Sequence, residues 1–384
     1  MLNYSKLSFW ETQTYFEDIY FTIVGAGIVG YSAAIELKKR YPHKRILIIE
    51  RGYLPSGAST KNAGFTCFGS GSEILDDLAN QPKEAVIELI SKRYRGLQLL
   101  LTRCKPELIN FRSTGSHELF TKSKNDKLLF EKVMDQEARL NEIIEEATGI
   151  GSNFAQADNS FGFNQIHKLI INKGEGQIDT GLMMQRLHQI AVSMGILTLF
   201  GTEYKGFREG KGITVTTNHG IFETENLIFA TNGLSKLLLP NLDIQPARAQ
   251  VLITQPLKQP IEGTFHYDRG YYYFRNVGNR MLIGGGRNLA FEEETSTRFE
   301  NTMLITNELK RLLSEVILPN QSFEIEQEWS GIMGVGKNRK PIVEFINENK
   351  TVVAAIRLGG MGVALGSHIG EEVAELFKEI KEEQ

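Results

Sequence analysis

Short apolar runs alternate with longer amphipathic stretches through the first part of the chain. The apolar runs predict strands at 22–24, 45–50, 112–121, 197–200, 212–217 and 226–229. Apolar positions that recur every three to four residues predict helices at 32–40, 73–104, 124–148 and 180–194. Strands that alternate with helices are typical of a parallel sheet covered by helices.

From Pro246 onward the pattern changes to shorter segments of β type. Strands are predicted at 250–254, 270–275, 280–285, 323–329 and 351–356, with a helix near 295–316. A last helix follows Gly362 and places Val363, Ile369 and Val373 on one face, toward a core. The sequence therefore predicts an α/β fold in which a β-rich part is inserted between segments of a parallel-sheet part.

Composition and charge exclude several classes of protein. The 384 residues, 41% hydrophobic and 23% charged, suffice for two domains with sizeable cores. A net charge of −3 gives no basic surface for nucleic acid or anionic lipid. Two cysteines, Cys67 and Cys104, cannot form a disulfide framework, and no apolar run is long enough for a membrane span. We therefore expect a cytoplasmic protein that binds neither nucleic acid nor membrane.

Three glycines follow the first predicted strand at a distinctive spacing. Gly25, Gly27 and Gly30 have G-x-G-x-x-G spacing ahead of a helix, and Glu50 ends the second strand. The first glycine allows a tight turn, and the second lets backbone N–H groups approach a pyrophosphate. The third lets the helix pack closely on the strand. Glu50 is placed to accept hydrogen bonds from a ribose, so the pattern predicts a dinucleotide site.

Further motifs, taken in order along the chain, resemble one family of flavoenzymes. They are Gly57-Ala58-Ser59-Thr60-Lys61-Asn62-Ala63-Gly64, Ala230-Thr231-Asn232-Gly233, Arg248-Ala249-Gln250, Tyr273-Phe274-Arg275 with Arg280 to Gly285, Trp329-Ser330-Gly331, and Leu358-Gly359-Gly360-Met361-Gly362. Together with the first glycine motif, this series resembles the D-amino-acid oxidase superfamily of FAD enzymes, nearly end to end. The superfamily includes glycine oxidase, sarcosine oxidase and γ-glutamylputrescine oxidoreductase, and the last typifies the branch that this chain resembles most.

The resemblance implies a Rossmann-like FAD-binding domain built from 1–108, 170–245 and 325–384. A β-rich α+β substrate domain would then comprise 109–169 and 246–324. FAD is expected to be non-covalent, because sarcosine oxidases attach it through a cysteine in the C-terminal third and this chain has none after Cys104. Cofactor contacts are expected from Gly25, Gly27, Ile28, Val29, Gly30, Glu50, Arg51, Ser59, Thr60, Lys61, Asn62, Ala63, Gly64, Tyr204, Thr231, Asn232, Gly233, Gly331, Gly359, Gly360, Met361 and Gly362.

The late glycine-rich segment, 359–362, favours flavin over nicotinamide. It opens the last predicted helix, whose free N–H groups and positive dipole end suit the edge of a flavin that becomes negative on reduction. Taken alone, the same segment also fits a plain strand-to-helix turn.

The resemblance also implies a reaction. A neutral amine would lie over the flavin and transfer a hydride to N5, the imine product would hydrolyse, and oxygen or another acceptor would reoxidise the flavin. Substrate contacts are expected from Tyr271, Tyr273, Arg275, Met333 and Arg357. The two-residue period of a strand places Tyr271, Tyr273 and Arg275 on one face. The same pattern also fits aromatic cross-strand packing of Tyr271 and Tyr273, with Arg275 as a surface or interdomain salt-bridge partner.

Two residues depart from the family pattern. Met333 stands where glycine oxidase-like members have an arginine that pairs with the substrate carboxylate, so Arg248, Arg275, Arg287 or Arg357 would have to replace it, with Arg357 the best placed. Leu282 stands where sarcosine oxidases carry a lysine that promotes the reaction with oxygen. An oxidoreductase is therefore better supported than an oxidase.

The remaining chemistry-bearing residues give weaker signals. The seven histidines have no metal-ligand spacing, so no metal is expected, although His266 precedes the tyrosine-rich strand. Cys67 is interpreted as a small buried residue rather than a redox thiol. We therefore expect an FAD-dependent oxidoreductase that oxidises the C–N bond of a small amine or amino acid derivative. The alternatives are an FAD-dependent dehydrogenase of a 2-hydroxy acid that uses a non-oxygen acceptor, and a non-catalytic flavoprotein.

Overall fold

The computed structural model describes residues 6–337 and 340–382. The strands are β1 (Ile19–Val24), β2 (Arg45–Glu50), β3 (Phe65–Thr66), β4 (Ser116–Thr121), β5 (Phe154–Ala157), β6 (Ile166–Asn172), β7 (Gly176–Gln177), β8 (Leu197–Phe200), β9 (Tyr204–Glu209), β10 (Ile213–Thr217), β11 (Gly220–Thr224), β12 (Asn226–Phe229), β13 (Gln245–Thr254), β14 (Thr264–Tyr267), β15 (Tyr272–Val277), β16 (Arg280–Gly285), β17 (Ile325–Val335), β18 (Ile342–Phe345) and β19 (Val352–Ile356). The α-helices are α1 (Phe9–Tyr15), α2 (Ile28–Arg40), α3 (Ala58–Lys61), α4 (Gly71–Asn80), α5 (Lys83–Cys104), α6 (Lys124–Asp135), α7 (Glu137–Thr148), α8 (Thr180–Ser193), α9 (Ser235–Leu238), α10 (Met303–Leu312) and α11 (Gly362–Glu382).

A six-stranded sheet runs in the order β18-β19-β12-β1-β2-β8. Its pairs are parallel except for the antiparallel edge pair of β18 with β19. The side chains of β12 and β19 are buried throughout, as expected for strands covered on both faces. The predicted parallel sheet, assembled from separated segments of the chain, is confirmed.

An eight-stranded sheet runs in the order β17-β13-β16-β15-β14-β4-β6-β5. The long strands β13 and β17 pair antiparallel from Gln245 opposite Val335 to Thr254 opposite Ile325. The strand β17 therefore belongs to this sheet, although we assigned residues from 325 onward to the FAD-binding segments. The boundary at 170 likewise cuts through β6. Strand pairing therefore continues across both of these boundaries.

Three predicted helices have different bounds in the structure. The stretch 73–104 forms α4 and α5, which are separated at Pro82, a residue that has no backbone N–H to donate. The stretch 124–148 forms α6 and α7, which are separated at Gln136. The stretch 295–316 begins its helix only at Met303 and ends in a π-helical turn, Leu313–Ile317.

Close packing of α2 against α11 brings the starts of both helices to one place. Glycines on α11 face α2: a Cβ atom at Gly370 would lie 2.5 Å from Ser32 backbone and side-chain atoms, and one at Gly366 would overlap the Ile28 side chain. Gly30 on α2 packs against the turn that precedes its own helix, since a Cβ there would overlap the carbonyl oxygen of Gly25. This confirms the packing role that its place in the glycine motif predicts.

A buried carboxyl group lies at the junction of β4 and α4. The Glu118 carboxylate accepts hydrogen bonds from the backbone N–H of Ser72, at 3.1 Å, and from the Ser72 hydroxyl. Burial raises the pKa of Glu118 to about 7, with a smaller contribution from the charge of Glu73, while the Ser72 hydrogen bonds oppose the rise. The folded state therefore holds this proton more tightly than the unfolded state does.

The stability of the protein is expected to depend on pH through this carboxyl group. The ordinary pKa is 4.5, so the free energy of unfolding is expected to fall as pH rises from 4.5 to about 7, and the loss persists above that range. Relative to the Glu118→Gln variant, the wild-type protein is expected to lose up to about 3 kcal/mol across that window. Urea unfolding at several pH values measures the difference, with Glu131→Gln, an exposed site on α6, as control. Parallel pH profiles for the wild type and Glu118→Gln would contradict the prediction.

Candidate active site

A cleft of about 790 Å³ opens where the two large sheets meet. One side consists of the ends of β1 and β2, the start of α2 and the start of α11. The other side consists of the aromatic residues beside β15 and the C-terminal half of β17. The loop 57–64 lies between the two sides.

The start of α2 is open to the cleft. Gly25 turns the chain with φ of 106°, and its N–H donates to the carbonyl of Ile49 at 2.8 Å. Gly27 precedes the helix and supplies no side-chain cap, and the N–H of Ile28 donates to the Ser59 hydroxyl at 3.0 Å. A helix start with no cap of its own beside a serine hydroxyl fits a pyrophosphate group.

Glu50 connects the two strand ends that border this part of the cleft. Its carboxylate accepts hydrogen bonds from the N–H of Ala26 at 3.0 Å and from the N–H of Gly52 at 2.9 Å. Tyr204 lies across the cleft with its ring edge-on to Phe229 at 5.1 Å between centroids. Burial raises the pKa of Tyr204 to about 12, so the phenol stays protonated. This end of the cleft offers a carboxylate and an aromatic ring to an adenosine.

The loop 57–64 is held from both sides by hydrogen bonds. Asn62 donates to the carbonyls of Ala58 and Ser59 and accepts from the N–H of Gly64 at 2.8 Å. The indole N–H of Trp329 donates to the carbonyl of Lys61 at 3.0 Å. The loop is therefore fixed before any ligand binds, which is what a cofactor site requires.

Arg275 lies behind this loop rather than in the cleft. Its guanidinium donates to the carbonyl of Ala63, to that of Ile178 at 2.9 Å and to the Gln177 side chain at 3.0 Å. Burial lowers the pKa of Arg275 to about 10. We expected Arg275 to contact substrate, but its donors hold the loop backbone instead. The salt-bridge alternative is not met either, because these partners, 98 and 212 residues away in the chain, are an amide oxygen and a backbone carbonyl rather than a carboxylate.

The start of α11 is the second helix end that opens into the cleft. Gly359 has φ of 59° and donates its N–H to the carbonyl of Gly334 at 2.9 Å. The Asn232 side chain accepts from the N–H groups of Arg357 and Leu358, which fixes the turn before the helix. Cβ atoms at Gly359 and Gly362 would meet nothing within 4 Å. The turn therefore leaves open space beside a positive helix end, as a flavin edge would need.

Arg357 borders this turn but is bound elsewhere. Its guanidinium pairs with the carboxylate of Asp243 at 2.7 Å and donates to the carbonyl of Lys340 at 2.8 Å. The arginine that the sequence favoured as a replacement carboxylate anchor therefore joins two backbone segments. Arg248 is also committed, because it is buried in an ion pair with Glu294 at 2.8 Å.

The cleft collects most of the residues expected from the sequence. Its lining includes Gly25, Gly27, Ile28, Val29, Glu50, Arg51, Ser59, Lys61, Asn62, Ala63, Gly64, Tyr204, Thr231, Asn232, Gly331, Gly359, Gly360, Met361 and Gly362, with Tyr271, Tyr273, Met333 and Arg357 on the substrate side. Gly30, Thr60 and Gly233 lie outside it. Thr60 donates to the carbonyl of Pro55 at 2.7 Å, and a Cβ at Gly233 would overlap the carbonyl of Met333. These three residues shape the walls rather than form the surface.

The fold also brings together three residues that the sequence keeps apart. Sγ of Cys67 lies 3.4 Å from Nε2 of His266, which lies 3.9 Å from the carboxylate of Glu175. The three ligand atoms lie within 4.8 Å of one another, a grouping that the histidine spacing did not predict. Cys67 and His266 line the cleft, and Glu175 accepts hydrogen bonds from the N–H groups of Phe68 and Gly69.

Burial raises the pKa of the Cys67 thiol well above its ordinary value, and the negative charge of Glu175 adds to this rise. The thiol is therefore neutral, in agreement with its interpretation as a small buried residue. His266, Arg287 and Phe299 also line the cleft, although they were not among the expected contact residues. The sequence had pointed to His266 through its position before the tyrosine-rich strand, and to Arg287 as one of four arginines that could replace the anchor lost at Met333.

Comparisons with known proteins agree with the geometry. Residues 21–376 match the model of the family described as DAO, FAD dependent oxidoreductase. The structure resembles L-proline dehydrogenase from P. horikoshii with 21% identity, a TM-score of 0.75 and 94% of each chain covered. It resembles glycine oxidase from Geobacillus kaustophilus with 20% identity, a TM-score of 0.72 and 94% of each chain covered.

A third structure, iminodiacetate oxidase from Chelativorans sp. BNC1, has 16% identity and a TM-score of 0.76, and covers 94% of this chain and 95% of its own. A comparison with curated protein sequences finds no match. Within the described ranges, no helix combines the length and apolar composition needed to cross a bilayer. The two open helix starts, the fixed loop and the family match together show that the chain belongs to the DAO family of FAD-dependent oxidoreductases.

Proposed function

We propose that this protein oxidises the C–N bond of a small amine or amino acid derivative. The substrate would lose two electrons and two protons to give an imine, and water would convert the imine to a carbonyl compound and a free amine. FAD, when bound, supplies the two-electron acceptor for this reaction. The remaining steps depend on how the protein holds the substrate.

The observation that carries the proposal is the apolar surface beside the start of α11. Met333 and Met361 line the cleft there, and a Cβ at Gly360 would lie 3.8 Å from the Met333 sulfur. Burial raises the pKa of Tyr273, on the same cleft, to about 12, so its phenol carries no charge. An apolar surface lowers the pKa of a bound ammonium group and favours the neutral amine, whose lone pair assists C–H cleavage.

The protein's own groups have defined tasks under this proposal. The start of α2 and Ser59 would hold the pyrophosphate, and Glu50 the ribose. The start of α11 would stabilise negative charge at the edge of the bound ring. The proposal also agrees with the names of the similar structures, which include a proline dehydrogenase, a glycine oxidase and an iminodiacetate oxidase.

The test is anaerobic reduction of the purified holoenzyme, followed by the loss of flavin absorbance. Glycine, sarcosine, proline, D-amino acids, polyamines and 2-hydroxy acids would be added separately, with dithionite as the control that shows the flavin is reducible. Bleaching by an amine supports the proposal. Reduction by 2-hydroxy acids alone would contradict it in favour of the hydroxy-acid dehydrogenase, and reduction by dithionite alone would favour the non-catalytic flavoprotein.

The electron acceptor is read from the same samples. Recovery of absorbance in air with release of peroxide would identify an oxidase. Recovery only with an artificial acceptor would identify a dehydrogenase, as the apolar Leu282 in place of a lysine suggests. Leu282 is buried in a small cluster with Ala63 of the loop 57–64 and Val251.

A further inference from the structure

Arg287 is a cationic side chain of the cleft whose hydrogen-bonding capacity is unused. It follows Gly286, which has φ of 80°, and begins a short 3₁₀ helix, Arg287–Leu289. The side chain is half-buried and lines the cleft. Its Nε atom is buried without a hydrogen-bond partner, and the guanidinium forms no ion pair with any residue in 6–337 or 340–382. Such a group is costly to leave without a partner.

Aromatic side chains hold this guanidinium in place. Its central carbon lies 4.9 Å from the centre of the Phe291 ring, and the Tyr271 ring packs against Phe291 at 6.1 Å between centroids. Burial lowers the pKa of Arg287 below its ordinary value, which reports the cost of removing the charge from water. The group still carries its charge at neutral pH, because an arginine guanidinium keeps its proton in proteins. A fixed, partly desolvated cation at a cleft wall is a binding site for an anion.

The other buried arginines near the cleft are already bound. Arg93 donates to the carbonyl of Phe68 at 2.9 Å, and Arg357 pairs with Asp243. Arg248 and Arg275 do not line the cleft, and they bind Glu294 and the carbonyls of Ala63 and Ile178, respectively. Among the partly buried arginines that line the cleft, Arg287 has its donors available.

We propose that Arg287 binds the carboxylate of the substrate, so that the substrate class is an amine bearing a carboxylate: an amino acid or an N-substituted amino acid. The inference rests on the proposed function, since it assigns one end of the molecule whose C–N bond is oxidised. The planar guanidinium offers two parallel N–H donors to a carboxylate, with Tyr271 and Phe291 beside them. Polyamines are disfavoured, because their ammonium groups repel this cation.

Binding of an inert carboxylate tests the subsite without turnover. The holoenzyme is titrated with benzoate and with its neutral counterpart benzamide, and the perturbation of the flavin spectrum gives each dissociation constant. Wild type is expected to bind benzoate at least tenfold more tightly than benzamide. Arg287→Met is expected to weaken benzoate binding by about 10- to 100-fold and leave benzamide unchanged, and Arg287→Lys is expected to fall between. Arg298→Met removes the same charge from an exposed position outside the cleft lining and is expected to behave as wild type.

Three results of this titration would contradict carboxylate binding by Arg287. Equal benzoate affinity in wild type and Arg287→Met would overturn the proposal, as would equal wild-type affinities for benzoate and benzamide. Loss of bound flavin in both Arg287→Met and Arg287→Lys would assign the arginine to the cofactor phosphates instead. If the Met variant does not fold, the Lys variant and the wild-type comparison still decide.

The anaerobic panel separates this proposal from the proposed function. Reduction by polyamines as fast as by amino acids would overturn the carboxylate subsite and leave amine oxidation in place. A flavin that no amine reduces would contradict amine oxidation, while selective benzoate binding would still identify an anion site at Arg287.

Discussion

Replacing Gly370 by alanine is expected to destabilise the protein and to empty the cofactor site. A Cβ atom at this position would lie 2.5 Å from the carbonyl carbon of Ser32 and 2.7 Å from the backbone nitrogen of Ala33. These are backbone atoms in the middle of α2, so no side-chain rotation can relieve the overlap. The helix α11 would have to move away from α2, and both helix starts at the cleft would move apart.

The expected fall in the free energy of unfolding is opposite to the effect of helix propensity. Alanine is a better helix former than glycine by about 1 kcal/mol, so propensity alone predicts stabilisation. Overpacking of a tight contact costs about 1–3 kcal/mol, and more where the backbone must shift. We therefore expect a net loss of about 2 kcal/mol or more, together with loss of bound flavin after gel filtration.

The measurement is the free energy of unfolding in urea together with the flavin-to-protein ratio. Gly206→Ala is the matched control, because a Cβ atom at Gly206, on β9, would meet nothing within 4 Å. A Gly370→Ala protein with wild-type stability and full flavin content would show that α2 and α11 do not need this close approach to form the site.

The parts of the site that the sequence predicted are those encoded locally. Gly25, Gly27 and Gly30 follow one strand and begin one helix, so spacing alone gives their geometry, and the structure places them at the helix start. The loop 57–64 and the turn 359–362 are contiguous motifs of the same kind. In such segments, the local sequence largely determines the conformation of the turn.

The parts that the sequence did not predict depend on contacts between distant segments. Arg275 meets Ala63 across 212 residues, and Cys67 meets His266 across 199. A two-residue period correctly assigned Tyr273 and Arg275 to one face of β15. It could not show which segments of the chain that face contacts. The glycine face of α11 shows the same limit, since Gly366 and Gly370 indicate close packing only when the partner helix is known.

Arginine roles were the least predictable, because a guanidinium can serve a substrate, a backbone carbonyl or a carboxylate equally well. The sequence offered four candidates to replace the anchor lost at Met333, and favoured Arg357. The structure gives three of them, including Arg357, other partners among the described residues. Which arginines are bound elsewhere depends on the positions of Asp243, Glu294 and Ala63 in the fold, and no local sequence pattern reveals these positions.

A buried ion pair fastens the segment 287–302 to the eight-stranded sheet. Arg248 and Glu294 are each 1% exposed and form two hydrogen bonds of 2.8 Å. Gln250 donates to the same carboxylate at 2.9 Å and accepts from the N–H of Thr302. The segment between these contacts carries Phe299 on the cleft wall, and Arg287 begins it. The pair therefore holds one wall of the substrate side in place.

Arg248→Met is expected to lower the free energy of unfolding by about 3–5 kcal/mol, because it leaves the Glu294 carboxylate buried without its counter-charge. The double variant Arg248→Met/Glu294→Leu is expected to regain most of that loss, since an apolar pair of similar volume needs no compensation for burial. Urea unfolding measures both, and limited proteolysis reports opening of the segment 287–302 in the single variant.

Arg280→Met is the control, because it removes an ion pair of similar geometry that is exposed to solvent. Arg280 also forms two hydrogen bonds with a carboxylate, that of Glu326, but both side chains are about one-third exposed. Solvent already screens that pair, so little change in stability is expected there. If Arg248→Met were no more harmful than Arg280→Met, Glu294 would have to gain solvent or a proton in the variant. The segment would then be held by Gln250 and Thr302 rather than by charge, and the double variant would show no recovery.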